Sequence, residues 1–115
     1  MVDCIFCKII KGEIPGKFVF KDNDFVVFHD INPKAPVHAL VVPKQHVESL
    51  REVNETQVDL LGKMMLTTSK AAQKLNIANE GYKVVINNGK ASGQLVFHLH
   101  LHLLGGWKEA AHWQV

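Results

Sequence analysis

The chain has 115 residues, of which 47% are hydrophobic and 21% charged, and its formal net charge is +2. These values fit a single globular domain over residues 1–115. The basic residues are scattered, which is not typical of a nucleic-acid-binding arm, and no apolar run approaches the roughly 20 residues of a membrane helix. The first residues lack the cationic-then-apolar order of a signal peptide, so we expect none. We therefore expect a cytoplasmic protein with no nucleic-acid partner and no membrane partner.

The amino-terminal half predicts a short helix followed by three strands. Residues 5–11 form a short apolar stretch that Gly12 and Pro15 end, which indicates one or two helical turns. Two prolines make the loop at 31–36 rigid, because each fixes its own φ and favours extended structure before it. The runs of apolar and β-branched residues predict strands at 18–21, 25–30 and 38–43.

The second half predicts one long helix and two further strands. Asn54 can cap the first backbone N–H groups of the helix, with Gln57 in the reciprocal position. Apolar residues at three- and four-residue steps predict its buried face, with both methionines in the core: Val58, Leu61, Met64, Met65, Ala72 and Leu75. Strands are predicted at 82–87 and 96–104, with an Asn-Gly tight-turn signal between them. This order of elements predicts an α+β fold with a mostly antiparallel sheet.

Three of the seven histidines alternate with leucines in the sequence HLHLHL. In a strand, residues two apart share a face, so His98, His100 and His102 would line one exposed face while the leucines enter the core. One interpretation is a set of solvated or hydrogen-bonded surface histidines, and another is a catalytic zinc held by two of them with a further histidine. Neighbours on one strand face lie about 6.6 Å apart, so the three rings cannot all bind one ion. At least one ring therefore has another task.

A nucleophilic role suits one of these imidazoles. Neutral imidazole is a good nucleophile near pH 7 and needs no separate base to activate it. It must present one ring nitrogen to phosphorus while an acceptor, such as a backbone carbonyl, holds the proton on the other. The small residues and amides at 87–94 (NNGKASGQ) can donate to phosphate oxygens, although a hairpin loop is the alternative. In an enzyme that acts on phosphate, a covalent phosphohistidine would split one difficult displacement into two easier ones.

These segments together resemble the histidine triad (HIT) family, and within it the Hint branch. HLHLHLL is similar to the family's motif, and the resemblance extends through CIFCKIIKGEIP, FVVFHDINPKAPVHALVVPKQH and NNGKASGQLVFHLHLHLLGG in the family's order. It implies an α+β fold with a five-stranded, mostly antiparallel sheet and two helices, which pairs as a homodimer with one ten-stranded sheet. It also implies hydrolysis of purine nucleoside phosphoramidates and related nucleotidyl conjugates, such as aminoacyl-adenylates, at the α-phosphate.

The resemblance also implies roles for individual residues. His100 matches the family's nucleophile, His102 the third triad histidine, and His38 a more distant histidine near the phosphate. Asp30 matches the acid that takes the ribose hydroxyls, a role that suits two acceptor oxygens. The other matched positions lie at the purine (Phe6, Ile9, Phe28, His29 and Ile31) or beside the phosphate (Asn87, Gly93, Gln94 and Leu95). For the four apolar residues at the purine, ordinary core packing is an equal alternative.

The sequence departs from the family pattern at two places. The Hint branch usually has serine where Leu95 stands, and that serine assists the leaving group. Leucine offers only its backbone N–H, which implies weaker catalysis with amine leaving groups or a changed leaving-group preference. The stretch between Gly106 and the late pair His112-Trp113 is longer than usual in the family, whose carboxyl terminus helps to shape substrate selection, so the resemblance leaves the substrate specificity open.

Cys4 and Cys7 have the CxxC spacing of metal ligands, and two cysteines in a cytosolic chain do not form a disulfide framework. A redox pair would need a βαβ context, which is not predicted, and two inert thiols are the other alternative. In some HIT relatives such a pair joins two histidines around a structural Zn²⁺, which here implies Cys4, Cys7, His46 and His98. The alternative functions are a purine-nucleotide-binding scaffold with little turnover and a zinc-dependent hydrolase.

Overall fold

The fold is an antiparallel sheet with one helix on each face, and the computed structural model describes residues 4–111 of it. The elements are α1 (Ile5–Ile10), β1 (Phe18–Lys21), β2 (Phe25–His29), β3 (Val37–Pro43), α2 (Val58–Lys74), β4 (Tyr82–Val85) and β5 (Leu101–Gly105). The strands pair antiparallel in the order β1-β2-β3-β5-β4. The predicted α+β class is confirmed. None of the helices in the described range combines the length and apolar character needed to cross a bilayer.

Alternate residues of the central strands bury opposite faces of the sheet. Val27 packs in a cluster with Met64 of α2, whereas Phe28, the next residue along β2, packs with Phe6 of α1. The alternating leucines all belong to the α2 cluster, as predicted: Leu99, Leu101 and Leu103. The histidines between them therefore project towards α1, and this face carries the site described below.

Helix α2 begins where the sequence predicts, but its buried face is narrower. The Asn54–Gln57 capping box is present, and one 3-10 turn leads into the helix. Met64 is fully buried, whereas Val58 and Met65 are 62% and 47% exposed, so their predicted burial is wrong. Consecutive residues of a helix point about 100° apart, so Met64 and Met65 cannot both face the sheet. Val58 and Met65, seven residues apart, share a second stripe on the outer side.

The last strand is shorter than predicted, since β5 begins at Leu101 and residues 96–100 are irregular. The β3–β5 register would place Pro43 opposite Leu99, and proline has no N–H to donate to a strand ladder. The Leu99 N–H donates instead to the carbonyl of Val47. The strand predicted at 82–87 also ends early, at Val85, and a long connection with a 3-10 turn replaces the predicted tight turn.

A matched pair of glycine substitutions tests this packing. A methyl group at Gly105 of β5 would meet side-chain atoms of Ile77 at 2.9–3.2 Å. We expect Gly105→Ala to lower the free energy of unfolding by about 1–3 kcal/mol, since overpacking strains a core. Gly62 of α2 has nothing within 4 Å of such a methyl, and Gly62→Ala should raise it by about 0.5–1 kcal/mol. Equal urea denaturation midpoints for the two variants would contradict this expectation.

Candidate active site and metal centre

Histidine rings gather on the α1 face of the sheet in a nearly continuous series. The centroid distances are 4.7 Å for His46–His98, 5.0 Å for His100–His102 and 5.2 Å for His38–His102. Phe6 of α1 packs edge-on against His98 and His100, at centroid distances of 6.0 and 5.0 Å. The rings form two adjoining groups, one at His98 with the cysteines and one around His100.

His100 has the ring orientation that the nucleophile hypothesis requires. Its Nδ1 lies 2.7 Å from the carbonyl oxygen of His98, which accepts a hydrogen bond, so Nδ1 carries the proton and Nε2 the lone pair. Nε2 makes no hydrogen bond to any described residue. The ring is only 6% exposed, so the expected exposed strand face is wrong, because Phe6 and α1 cover most of it. Burial lowers the pKa of His100, which favours neutral imidazole.

A second backbone group sets the proton positions of the neighbouring pair, His38 and His102. The backbone N–H of Lys34 donates to His38 Nδ1 at 2.9 Å, so the proton of the neutral ring resides on Nε2. That Nε2 lies 2.9 Å from His102 Nδ1 and 3.4 Å from Oδ2 of Asp30. His102 Nδ1 therefore accepts, and its own proton is on Nε2. Burial lowers the pKa of His38 and lowers that of His102 to about 4, so both rings are neutral near pH 7.

The cysteines and two histidines form a compact group of metal-ligating atoms, which we call the Cys₂His₂ cluster: Cys4, Cys7, His46 and His98. His98 Nδ1 lies 3.4 Å from Cys4 Sγ, 3.6 Å from Cys7 Sγ and 3.1 Å from His46 Nδ1. The Nε2 of His98 donates to the carbonyl of Pro43 at 2.7 Å, which leaves the Nδ1 lone pair facing the cluster. Burial also lowers the pKa of His98 to about 4, so the ring stays neutral.

The cluster fits a four-coordinate metal site. Bonds of about 2.3 Å to sulfur and about 2.1 Å to nitrogen give tetrahedron edges of roughly 3.3–3.8 Å. The separations between donor atoms, 3.1–3.6 Å, approach these edges. Neither cysteine forms a disulfide, and His46 directs Nδ1 at the cluster, 3.4 Å from Cys7 Sγ. Two thiolates and two imidazoles would close the site, with no position left for a substrate.

A second group, formed by Asp30, His38 and His102, also brings three possible ligands within 4.8 Å of one another. Its proton positions differ from those of the Cys₂His₂ cluster. Because the Lys34 N–H occupies Nδ1 of His38, the opposite Nε2 directs a proton, not a lone pair, at the other two residues. This group is arranged as hydrogen-bond donors and acceptors for a ligand rather than as a metal site.

The predicted purine residues divide into buried and exposed sets. Phe6, Ile9 and Phe28 pack together in the core cluster of the α1 face, which is the core alternative of the sequence analysis. His29 ends β2 and is exposed, and Ile31 is 90% exposed. Between them, Asp30 accepts the backbone N–H of Asn32 through Oδ1 at 2.8 Å and keeps Oδ2 near His38.

The predicted phosphate loop is held by Gln94. Its Oε1 accepts the Gly89 N–H at 2.8 Å, and its Nε2 donates to the carbonyls of Glu48 and Val96 at 2.7 and 3.0 Å. Both amide protons are thus engaged by the backbone, so the side chain shapes the loop. In the same loop Asn87 is half-buried, Gly93 has the positive φ of 100° that favours glycine, and Leu95 is 90% exposed. His112 and Trp113 lie outside the described residues.

Sequence reasoning missed the backbone groups that fix the histidine rings, namely the Lys34 N–H and the Pro43 carbonyl. The side chain at position 34 takes no part in its contact, so no residue pattern could indicate it. The proline at position 43 offered a weak signal, because it ends the β3 ladder and frees its carbonyl for a side chain.

Comparisons of the sequence and of the structure with known proteins all match HIT proteins, over most of the chain. The HIT domain family model matches residues 11–109. Protein HitA of Neisseria gonorrhoeae is 48% identical over 105 residues, which cover 91% of this chain and 97% of HitA. A HIT family hydrolase from Clostridium thermocellum superposes with a TM-score of 0.91 at 43% identity, covering 96% of each chain. A histidine triad nucleotide-binding protein from Candida albicans superposes with a TM-score of 0.79 at 36% identity, covering 95% of this chain and 85% of its own. The chain therefore belongs to the HIT domain family.

Proposed function

We propose that this protein hydrolyses purine nucleoside phosphoramidates and related nucleotidyl conjugates at the α-phosphate, through a nucleotidyl intermediate on His100. The observation that carries the proposal is the His100 ring, whose Nδ1 proton is held by the His98 carbonyl while Nε2 is left without a described partner. A HIT family hydrolase and a nucleotide-binding protein among the relatives support this class of activity.

The reaction has two displacement steps at phosphorus. In the first, the Nε2 lone pair of His100 forms a bond to the α-phosphorus as the bond from phosphorus to the amine breaks. The amine takes a proton from a water molecule, since Leu95 provides no hydroxyl, and this leaves a hydroxide. In the second, the hydroxide attacks the phosphorus, the bond to His100 breaks, and a nucleoside 5′-monophosphate is released with His100 again neutral. Splitting the displacement in this way replaces one difficult step with two easier ones.

The groups around His100 hold the substrate and balance its charge. The His102 Nε2–H, whose proton position is set through His38, donates to a non-bridging phosphate oxygen in both steps. Backbone N–H groups of the loop around Gly93 contribute further donors. Asp30 accepts the ribose hydroxyls through its carboxylate oxygens. His29 and Ile31 flank Asp30 on the exposed side, where the purine would enter.

Trapping the intermediate tests the proposal. The protein is mixed with adenosine 5′-phosphoramidate, quenched within one turnover and analysed by intact mass and peptide mapping. We expect a mass increase of one adenylyl group, located on His100. Nucleotide binding without an adduct and without turnover would instead support the scaffold alternative. Turnover that stops on chelation in protein that stays folded, with no adduct, would support the zinc hydrolase.

Restoring the serine tests the role of Leu95, which is 90% exposed and packs in neither core cluster. We expect Leu95→Ser to raise kcat/KM for a substrate with an amine leaving group by about tenfold, below the 10²–10⁴ of an ideally placed proton donor. A nucleotidyl carboxylate anhydride, whose leaving group needs no proton, should gain little. Leu95→Ala is the matched control, because it removes the same side chain without adding a hydroxyl. An unchanged kcat/KM in the serine variant would refute this role.

We also propose Zn²⁺ as the ion of the Cys₂His₂ cluster, since two thiolates and two imidazoles are its preferred donors. When bound, it would stabilise the fold locally and take no part in the displacement. Protein purified without chelator should contain about one zinc per chain by elemental analysis. A zinc content near zero would remove this assignment.

We propose that the protein forms a homodimer in which β4 pairs with β4 of the second chain. β4 is an edge strand whose Tyr82 and Val84 are exposed, and such edges readily pair with a second chain. Pairing β4 with its copy would give one ten-stranded sheet. We expect Val84→Glu to yield monomers in size-exclusion chromatography, because like charges would face each other across the contact. Lys21→Glu, on the opposite edge strand β1, should stay dimeric; monomers for both variants would place the contact elsewhere.

A further inference from the structure

We propose that the Cys₂His₂ cluster positions the nucleophile, so that an ion held there controls the rate of nucleotidyl transfer as well as stability. The link is His98, which offers its ring to the cluster and its backbone carbonyl to His100. This inference rests on the proposed role of His100 as nucleophile. It makes His98 and Phe6 positioning residues, which act through the His100 ring and do not touch the reacting phosphorus.

The first support is the irregular backbone that carries the orienting carbonyl. In a strand ladder, a hydrogen bond from the N–H of a neighbouring strand would hold a carbonyl in place. The His98 carbonyl precedes β5 and has no ladder partner, because pairing with β3 starts only at Leu101. The other end of the same peptide unit, the Leu99 N–H, donates to the carbonyl of Val47, which directly follows His46 of the cluster. The direction of the His98 carbonyl, and with it that of the His100 ring, therefore depends on the two segments that carry His46 and His98.

The second support is the way residue 98 is fixed, which is through its side chain. The ring is fully buried, with Nε2 bound to the Pro43 carbonyl and Nδ1 directed at the thiols of Cys4 and Cys7. One ring nitrogen is thus held by a backbone carbonyl, and the other by weak thiol contacts at 3.4 and 3.6 Å, which a bound ion would replace with a coordinate bond. Without that bond the ring would be held less firmly on the cluster side. The carbonyl of the same residue, which holds His100 Nδ1, would then be placed less firmly as well.

The third support is Phe6, which the same cysteines flank in sequence. Helix α1 has only six residues, far fewer than an isolated helix needs for stability, so its position depends on tertiary anchors. Cys4 is its N-cap, and Cys7 lies in its first turn. Phe6 between them contacts the His100 ring edge-on, with an interplanar angle of 89°. Closing the cluster would therefore press Phe6 against the nucleophile from one side while His98 holds it from the other.

The test compares zinc-loaded protein with chelator-treated protein and with Cys7→Ser, at a temperature where circular dichroism shows all three folded. The first readout is the tautomer of His100 from ¹⁵N NMR of the imidazole nitrogens, which needs no substrate. We expect a single Nδ1–H tautomer in the zinc-loaded protein and a mixture in the other two. The second readout is the single-turnover rate of adduct formation with adenosine 5′-phosphoramidate. We expect it to fall about 10- to 100-fold, as for a small misplacement of a reacting group, while the Kd for AMP changes less than about threefold.

Two variants separate positioning from general loss of stability. Met64→Ala removes core packing on the α2 face, so it should lower stability and leave both the His100 tautomer and the adduct rate unchanged. Phe6→Leu keeps all four ligands and should slow adduct formation several-fold with zinc retained, which provides a test even if Cys7→Ser does not fold. An unchanged tautomer and rate in folded zinc-free protein, or in Phe6→Leu, would overturn the proposal. A tautomer change without any hydrolysis in the parent protein would leave positioning intact and refute the proposed function instead.

Discussion

Replacing His100 with alanine is expected to reduce kcat/KM for adenosine 5′-phosphoramidate by at least about 10⁴-fold, because the variant has no group to form the covalent intermediate. The adduct seen by mass spectrometry should disappear at the same time. AMP binding should persist, since the ribose and purine contacts are made elsewhere. The measurements are steady-state kinetics, intact mass after rapid quenching and a binding isotherm for AMP.

The control for this prediction is His100→Gln, which keeps a polar side chain of similar length against Phe6 but offers no nucleophilic nitrogen. Both variants should unfold within a few degrees of the parent and keep its zinc content, because His100 is not a cluster ligand. Turnover within about tenfold of the parent in either variant would assign the chemistry to another group.

Removing the ion from the Cys₂His₂ cluster is expected to lower the Tm by roughly 15 °C. A ligand present at about 1,000 times its Kd contributes about 4 kcal/mol to the folded state, and in a domain of this size each kcal/mol corresponds to roughly 4 °C. The loss is large because the cluster joins α1, the segment after β3 and the segment before β5, which share no strand ladder. Differential scanning calorimetry with and without chelator measures the shift.

The matched variant here is Cys4→Ser, which removes one thiolate and the N-cap sulfur together. Its Tm should already be low, and chelator should change it by no more than a few degrees. Parent protein that melts at the same temperature with and without chelator would show that no ion stabilises the fold. Since the measurement uses no substrate, its outcome is independent of the enzymatic proposal.

The fold was largely predictable from local patterns, and the errors have identifiable causes. Alternation of histidine and leucine correctly put Leu101 in the core and His102 on the opposite face, since that pattern depends only on strand geometry. The predicted strand was too long because its pairing depends on Pro43, which lies more than fifty residues away in the chain. Helical spacing likewise identified Met64 but not the exposure of Met65, since both residues are apolar and only the position of the sheet distinguishes them.

The site was predictable where side chains carry the chemistry and not where the backbone does. The triad was recognised from its alternating pattern and the Cys₂His₂ cluster from the resemblance to HIT relatives, and the structure brings the residues of each set together. Gln94 was expected to face a phosphate, but both its amide protons bind the backbone carbonyls of residues 48 and 96. These contacts depend on where the fold places the two carbonyls, which the local sequence does not show. The contact of the Lys34 N–H with His38 could not be predicted, because it uses only the backbone.

The dependence of three imidazoles on main-chain partners has an evolutionary consequence. Mutation replaces side chains and leaves peptide groups in place. Any residue except proline at position 34 therefore keeps the backbone N–H that sets the proton positions of His38 and His102. The same holds for the carbonyls that hold His98 and His100. Selection can therefore vary solvent-facing positions such as Leu95 to suit new leaving groups while the proton arrangement of the histidines is inherited unchanged.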